Sequence, residues 1–187
     1  MTAVDDLWYL TTRAEQRAEQ VHHRLTDAHE KFLERRHARR VSRPRFRTLA
    51  ERIAEFGAPY GTHSVVYRPS GELLLVRHAG VGMWVVPGGE PDPGESFREA
   101  AERELAEEAG VEATYDGLAM NVRVEIRCGE YSTWGVLPLF EARVEGEATP
   151  DPDDPDGEIT DARWFADLPE DTRDREDLLA WREFALK

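Results

Sequence analysis

Five ionisable residues, Glu95, Arg103, Glu104, Glu107 and Glu108, lie close together in the stretch PGGEPDPGESFREAAERELAEEAGV, Pro87 to Val111. Clustered carboxylates beside a glycine-rich loop offer hard oxygen donors. Mg2+ or Mn2+ takes such a set while keeping waters for a phosphorylated substrate. Whether the acids converge depends on the helix that carries them. Ser96 and Glu99 have the S-x-x-E spacing of a capping box, which starts a helix at Phe97, and Gly110 supplies the residue that ends it. At about 100° per residue, Phe97, Ala100, Ala101 and Leu105 form the apolar stripe of this helix, Phe97 to Ala109. Glu104 and Glu108 fall inside that stripe and Glu107 at its edge. A core-facing carboxylate left unpaired costs on the order of several kcal/mol, so a cation must meet these. Arg98 and Arg103 project off the Glu104/Glu108 stripe, and Arg103 is better placed to hold Glu95 or Glu107. Periodicity alone leaves two readings open, a metal site and a salt-bridged surface helix of different phase.

The spacing itself carries more. Gly89, five residues, Glu95, seven residues, Arg103-Glu104-Leu105, one residue, Glu107-Glu108, one residue, Gly110-Val111 resembles the signature of the Nudix hydrolases at every specified position. The strand MWVVPGG before it and ITDARWF after it are similar to that family's flanking strands. The resemblance spans roughly Gly61 to Lys187 and leaves out the N-terminal segment. It implies a Nudix α/β/α sandwich with a mixed sheet and hydrolysis of a nucleoside diphosphate linked to a further group, with Mg2+ or Mn2+ as cofactor. It also implies that Glu104 and Glu108 are metal ligands, joined by Glu107, Glu95 and a backbone carbonyl of the Gly88-Gly89 loop, here assigned to Gly89. Arg103 would orient one glutamate. The general base is either Glu104 or a loop acid before the last strand, for which Glu158 in DGEITDARW is the candidate. Arg77, at a strand end, is a phosphate contact or a surface ion pair. Tyr131 and Trp84 are aromatic surfaces on which a base could stack, with core packing as the alternative for Trp84.

Substrate markers are mixed. The neighbourhood EIRCGEY has no proline at the position common in ADP-ribose enzymes, and Tyr131 falls a few residues late for a dinucleoside polyphosphate enzyme. An ADP-ribose-like sugar nucleotide or a nucleoside triphosphate is the expected substrate class. The alternative is a Nudix-like ligand-sensing module whose arginine-rich segment binds nucleic acid or a protein partner.

The elements around the acids follow from changes of period. HSVVYRP and ELLLVRH are expected strands joined at Pro69-Ser70-Gly71, MWVVP is a third, and LAMNVRVEIRC and YSTWGVLPLFEARV form a hairpin about Gly129-Glu130. ITDARWF is the last strand, and Leu178, Leu179, Trp181 and Phe184 mark a C-terminal helix. Upstream, residues 1–43 contain neither Gly nor Pro. Ala14, Ala18, Val21, Leu25, Ala28 and Phe32 alternate spacings of four and three. This predicts one long helix from about Asp6 to Arg40 and a shorter one from about Thr48 to Phe56. The chain thus divides into an N-terminal helical segment, 1–56, and a Nudix domain, 57–187. The narrow stripe of the long helix needs a partner, and a homodimer through the N-terminal helices is one candidate.

Composition narrows the setting. The 187 residues carry 38 Asp and Glu against 24 Lys and Arg, a net charge of −14, and only Lys31 and Lys187 are lysines. An acidic, arginine-for-lysine surface suits a protein of a salt-loving archaeon, where molar salt screens self-repulsion, or a moderately acidic protein of a GC-rich genome. Either argues against nonspecific nucleic-acid binding. The run Arg35, Arg36, Arg39, Arg40, Arg43, Arg45 and Arg47 is a solvated face paired with acids such as Glu34 and Glu51, or an anion site. No apolar run approaches a membrane span, and MTAVDDLWYL has no basic region followed by an apolar core. A single cysteine, Cys128, permits no internal disulfide. A cytoplasmic location is expected.

Overall fold

The computed structural model describes residues 3–187. Their contacts divide the chain into two compact units. One runs up to Gly61 and includes Met120–Pro138, and the other holds Thr62–Ala119 and Leu139–Lys187.

In the first unit, helix α1, Ala3–Ala28, packs on helix α2, Arg43–Phe56. The buried side of α1 is Leu7, Thr11, Ala14, Ala18, Val21 and Leu25, so the spacing of fours and threes holds and extends towards the N-terminus. Against it lie Phe46, Leu49, Ala50 and Ile53 of α2. Gly57 caps α2 in the left-handed conformation, φ 83°, and a Cβ there would sit 2.5 Å from a Val21 methyl. Glycine is therefore required twice over, by backbone and by contact.

The expected long helix is corrected here. It ends at Ala28, and residues 33–40 form strand β1, Leu33–Arg40, parallel to the second half of strand β6, Thr114–Cys128. Register runs from Leu33 opposite Met120 to Arg40 opposite Arg127. Ala28 is exposed and Phe32 only half-buried, so the helical seam has nothing left to bury after Leu25. From Leu33 the burial alternates with period two, which suits a strand. Backbone pairing with β6 outweighs the helix propensity of Glu, Arg and Ala in LERRHARR. The shorter helix also starts earlier than predicted. Ser42 is its N-cap, with its side chain accepting from Arg45 N–H, and Pro44 sits in the first turn.

In the second unit, β2, Thr62–Tyr67, is the centre of a mixed sheet. It runs parallel to the end of β7, Tyr131–Arg143, and antiparallel to β3, Leu73–His78. It also pairs with the two-residue strand β5, Gly88–Gly89. Strand β3 pairs in turn with β4, Met83–Val85, and with β8, Ile159–Phe165. Alternation along the strands feeds two layers. Val66, Leu74, Val76 and Ala142 pack with Leu105 and Ala109 of helix α3, Phe97–Ala109. Their neighbours Tyr67 and Glu141 meet Trp181 of helix α4, Arg175–Ala185. The Tyr67 ring lies 5.2 Å from Trp181, and the indole N–H donates to Glu141 at 3.2 Å. A helix on each face of a mixed sheet is the expected α/β/α sandwich. No described helix is long and apolar enough to cross a membrane.

Candidate metal and catalytic site

Helix α3 presents the acids because both its ends are fixed. Glu99 N–H donates to Ser96 Oγ at 3.2 Å, and Ser96 N–H donates to Glu99 Oε2 at 2.8 Å. Gly110, φ 62°, closes the helix by donating to the Ala106 carbonyl at 2.9 Å. Ser96→Ala is expected to cost about 1 kcal/mol. A urea titration would show this as a lower midpoint at unchanged slope, and an unchanged midpoint would remove the capping box from the account.

Glu108 lies on the buried side of α3, 9% exposed, as its spacing predicted. Its Oε2 accepts from Gly88 N–H at 2.8 Å, and it forms no ion pair among the described residues. Burial pushes its carboxyl up to about 8, with the charges of Glu104, Asp154 and Glu158 adding to the effect. Glu104 is also raised by burial, less so because Arg103 opposes it. Its carboxylate lies against β5, where a Cβ on Gly89 would stand 2.4 Å from Glu104 Oε1. Gly88 is equally constrained, since a Cβ there would meet the Thr62 carbonyl at 2.2 Å. The two glycines bring backbone up to the acids, which side chains would prevent.

Arg103 is the centre of the cluster. Its guanidinium grips Glu95 with two bonds of 3.0 Å, reaches Glu104 at 2.8 Å and Glu107 at 3.4 Å, and donates to the Glu90 carbonyl at 3.0 Å. The expected pairing with Glu95 or Glu107 is therefore present on both sides. The exclusion of Glu104 is corrected, because the long arginine stem bends across to the adjacent residue, which backbone angles do not forbid. Arg103 holds Glu95 below the usual carboxylate range.

Among the described residues, no three His, Cys, Asp or Glu side chains are arranged to hold a metal ion as they stand. Glu95, Glu104 and Glu107 are drawn onto Arg103 instead. The donor set nonetheless suits a hard cation. Every candidate ligand is oxygen, and the buried Glu108 faces other acids with only an N–H to balance it.

The remaining predicted residues are placed as follows. Arg77, on β3, forms an ion pair with Asp171, and its guanidinium lies 5.8 Å from the Trp84 ring centroid. The Trp84 ring packs edge-on against Phe165 at 4.8 Å. Tyr131 belongs to the first unit, with Phe46 6.3 Å from its ring and Arg43 5.7 Å over it. Glu158 stands at the start of β8, and its Oε2 is 3.2 Å from His78 Nε2.

The model for the NUDIX domain matches residues 59–181. The chain belongs to the NUDIX domain family. Over 90 residues, 48% of this chain and 60% of the relative, this NUDIX protein is 33% identical to the Bacillus subtilis (strain 168) "Putative 8-oxo-dGTP diphosphatase". It therefore spans less than two thirds of that relative's length. Among solved structures, the E. coli dihydroneopterin triphosphate pyrophosphohydrolase shares the fold. Identity to it is 18%, with 67% of this chain and 93% of that chain covered and a TM-score of 0.51. The MutT NUDIX hydrolase from Burkholderia pseudomallei is 24% identical over 66% of this chain and 95% of that one, with a TM-score of 0.47.

Two residues in contact with Glu158 had no sequence signal. His78 only ends the run ELLLVRH, and Asp154 is one of four aspartates in DPDDPD. Asp154 turns out to be structural, its Oδ2 accepting from the N–H groups of Glu158 at 2.6 Å and Ile159 at 2.9 Å.

Proposed function

We propose that the chain is a divalent-metal-dependent pyrophosphohydrolase that cleaves the diphosphate linkage of a nucleoside diphosphate derivative. The observation that carries this is Glu108, a buried carboxylate pushed up to about 8 and balanced only by the Gly88 N–H. Keeping such a group costs stability, and a bound cation is what offsets that cost. Glu95, Glu104, Glu107 and Glu108, with the Gly89 carbonyl, would hold Mg2+ or Mn2+. When bound, the ion neutralises diphosphate charge that otherwise repels a nucleophile.

The chain's own residues do the rest. Arg103 keeps Glu95, Glu104 and Glu107 in one orientation. Gly88 N–H fixes the Glu108 carboxylate, and the missing Cβ at Gly89 lets substrate and backbone approach. An acid must accept the proton of the attacking water. Glu104 is engaged by Arg103, whereas Glu158 is free of arginine and 62% exposed, so Glu158 is the better proton acceptor. Arg77 is available to a phosphate only by leaving Asp171.

The chemistry is assigned to 57–187, with 1–56 as an addition to it. The likeness to the Bacillus subtilis putative 8-oxo-dGTP diphosphatase favours a nucleoside triphosphate over an ADP-ribose-like compound. A nucleotide substrate and a lone thiol suit the cytoplasm. The test is a panel of ADP-ribose, NADH, nucleoside triphosphates including 8-oxo-dGTP, and dinucleoside polyphosphates. Each is run with Mg2+, Mn2+ or EDTA at low and at molar KCl, and nucleotide products and released phosphate or pyrophosphate are analysed. Metal-dependent turnover of a nucleoside triphosphate well above the rest is the expected result. No turnover at either salt would overturn the reading.

A further inference from the structure

We propose that His78 is a positioning residue that orients the Glu158 carboxylate. This rests on the pyrophosphohydrolase reading and assigns a role that neither the signature nor the comparisons supply.

The argument starts from the main chain. Strand β3 meets β8 in regular register up to Arg77 opposite Asp161, then shifts, so that His78 stands opposite Ile159 and Thr160 is extra. Such a bulge bends the strand and re-aims the residues beside it. It brings Glu158 next to the end of β3, where Ala79 N–H donates to the Glu158 carbonyl at 2.8 Å. The Glu158 N–H is taken by Asp154 Oδ2. Both peptide groups of Glu158 are therefore fixed, but its side chain is 62% exposed and would otherwise sample several rotamers.

His78 removes that freedom. Gly80 N–H donates to His78 Nδ1 at 3.1 Å. A neutral ring accepting at Nδ1 carries its proton on Nε2, so the tautomer is set by the backbone of the adjacent turn. His78 Nε2 lies 3.2 Å from Glu158 Oε2, in close polar contact with the carboxylate. The ring is itself 25% exposed, held between the turn and the carboxylate. The Glu158 charge is one of three that act on buried Glu108, alongside those of Glu104 and Asp154. The contact with His78 is made through Glu158 Oε2 and leaves the second oxygen to accept a proton from water.

The test compares wild type with His78→Phe, His78→Gln, Glu158→Gln and the double variant His78→Phe/Glu158→Gln. Steady-state kinetics use the best substrate of the panel. His78→Phe is expected to lower kcat about 10-fold with KM within about twofold, the size of one lost orienting polar contact. His78→Gln, which retains an N–H donor, should recover part of the loss. Glu158→Gln should lower kcat at least about 100-fold. The double variant should then be no slower than Glu158→Gln, because His78 acts only through that carboxylate. A purely structural role for His78 would give additive losses and no recovery in His78→Gln.

Wild-type kcat in His78→Phe, or additive losses in the double variant, overturns the inference. So does wild-type kcat in Glu158→Gln, while metal-dependent turnover by the wild type would leave the pyrophosphohydrolase reading standing. Absence of wild-type turnover on every compound overturns both. His78→Gln, together with thermal midpoints for all four variants, separates lost positioning from lost folding.

Discussion

Glu108→Gln, and separately Glu104→Gln, should each remove about three orders of magnitude from kcat while leaving a folded protein. Both side chains lie on the face of α3 that turns towards β5, and both are carboxylates whose oxygen donors glutamine only half replaces. The amide keeps the volume and can still accept from Gly88 N–H, so the sheet and helix need not shift. What it loses is the negative charge that a divalent ion requires. Initial rates on the best panel substrate, in Mg2+ and in Mn2+, measure the effect. Circular dichroism confirms that the helix content is unchanged. Undiminished metal-dependent activity in both variants would remove the α3 acids from the chemistry and with them the pyrophosphohydrolase reading.

The same Glu108→Gln substitution should stabilise the metal-free protein near neutral pH. Folding raises the Glu108 carboxyl from its ordinary range to about 8, chiefly by burial. A raised pKa means that the folded state prefers the protonated acid. Stability is therefore full below the unfolded value of about 4.5, falls as pH rises through the window from there to about 8, and stays low beyond it. At pH 7 taking up a proton on folding costs on the order of 3 kcal/mol, which glutamine does not incur. In EDTA the variant should melt roughly 6–12 °C above wild type at pH 7 and no higher at pH 4. Saturating Mg2+ should narrow the gap by stabilising only the wild type. A variant that melts at or below wild type in EDTA at pH 7 would contradict the burial argument. Together the two results describe a helix that forgoes stability in order to keep a charged ligand inside.

The parts legible in the sequence were those set by local rules. Helix α3 was predicted to the residue because Ser96, Glu99 and Gly110 fix its ends through bonds that span three or four positions. Glu108 was placed on the buried side by periodicity alone. The strands of the second unit were legible because their alternation meets turns rich in Gly and Pro. Strand β1 was not. Residues 29–32 contain no breaker, and LERRHARR becomes a strand only because β6 offers it a pairing edge far away in sequence. The hold of Arg103 on Glu104 was missed for a different reason, since a wheel places Cβ atoms and not the ends of long side chains. The pairing of His78 with Glu158 depends on a register shift between distant strands, which spacing does not record.

The acidic segment between β7 and β8 has the composition of a spacer, but its backbone is tied down along its length. Asp151 N–H donates to the Ala109 carbonyl at 2.8 Å and Asp153 N–H to the Glu107 carbonyl at 3.0 Å, closing the open end of α3. The Ala148 carbonyl accepts from Trp164 and from Arg68. A Cβ on Gly110 would stand 2.1 Å from the Asp151 carbonyl. Proline- and aspartate-rich loops are ordinarily where a chain accepts extra residues or a protease cut. Here an insertion after Asp151 would pull the stitches from the end of the helix that carries Glu107 and Glu108. Added residues are expected to be tolerated only around Gly146, where a Cβ would meet nothing within 4 Å, so the loop acts as part of the helix it closes.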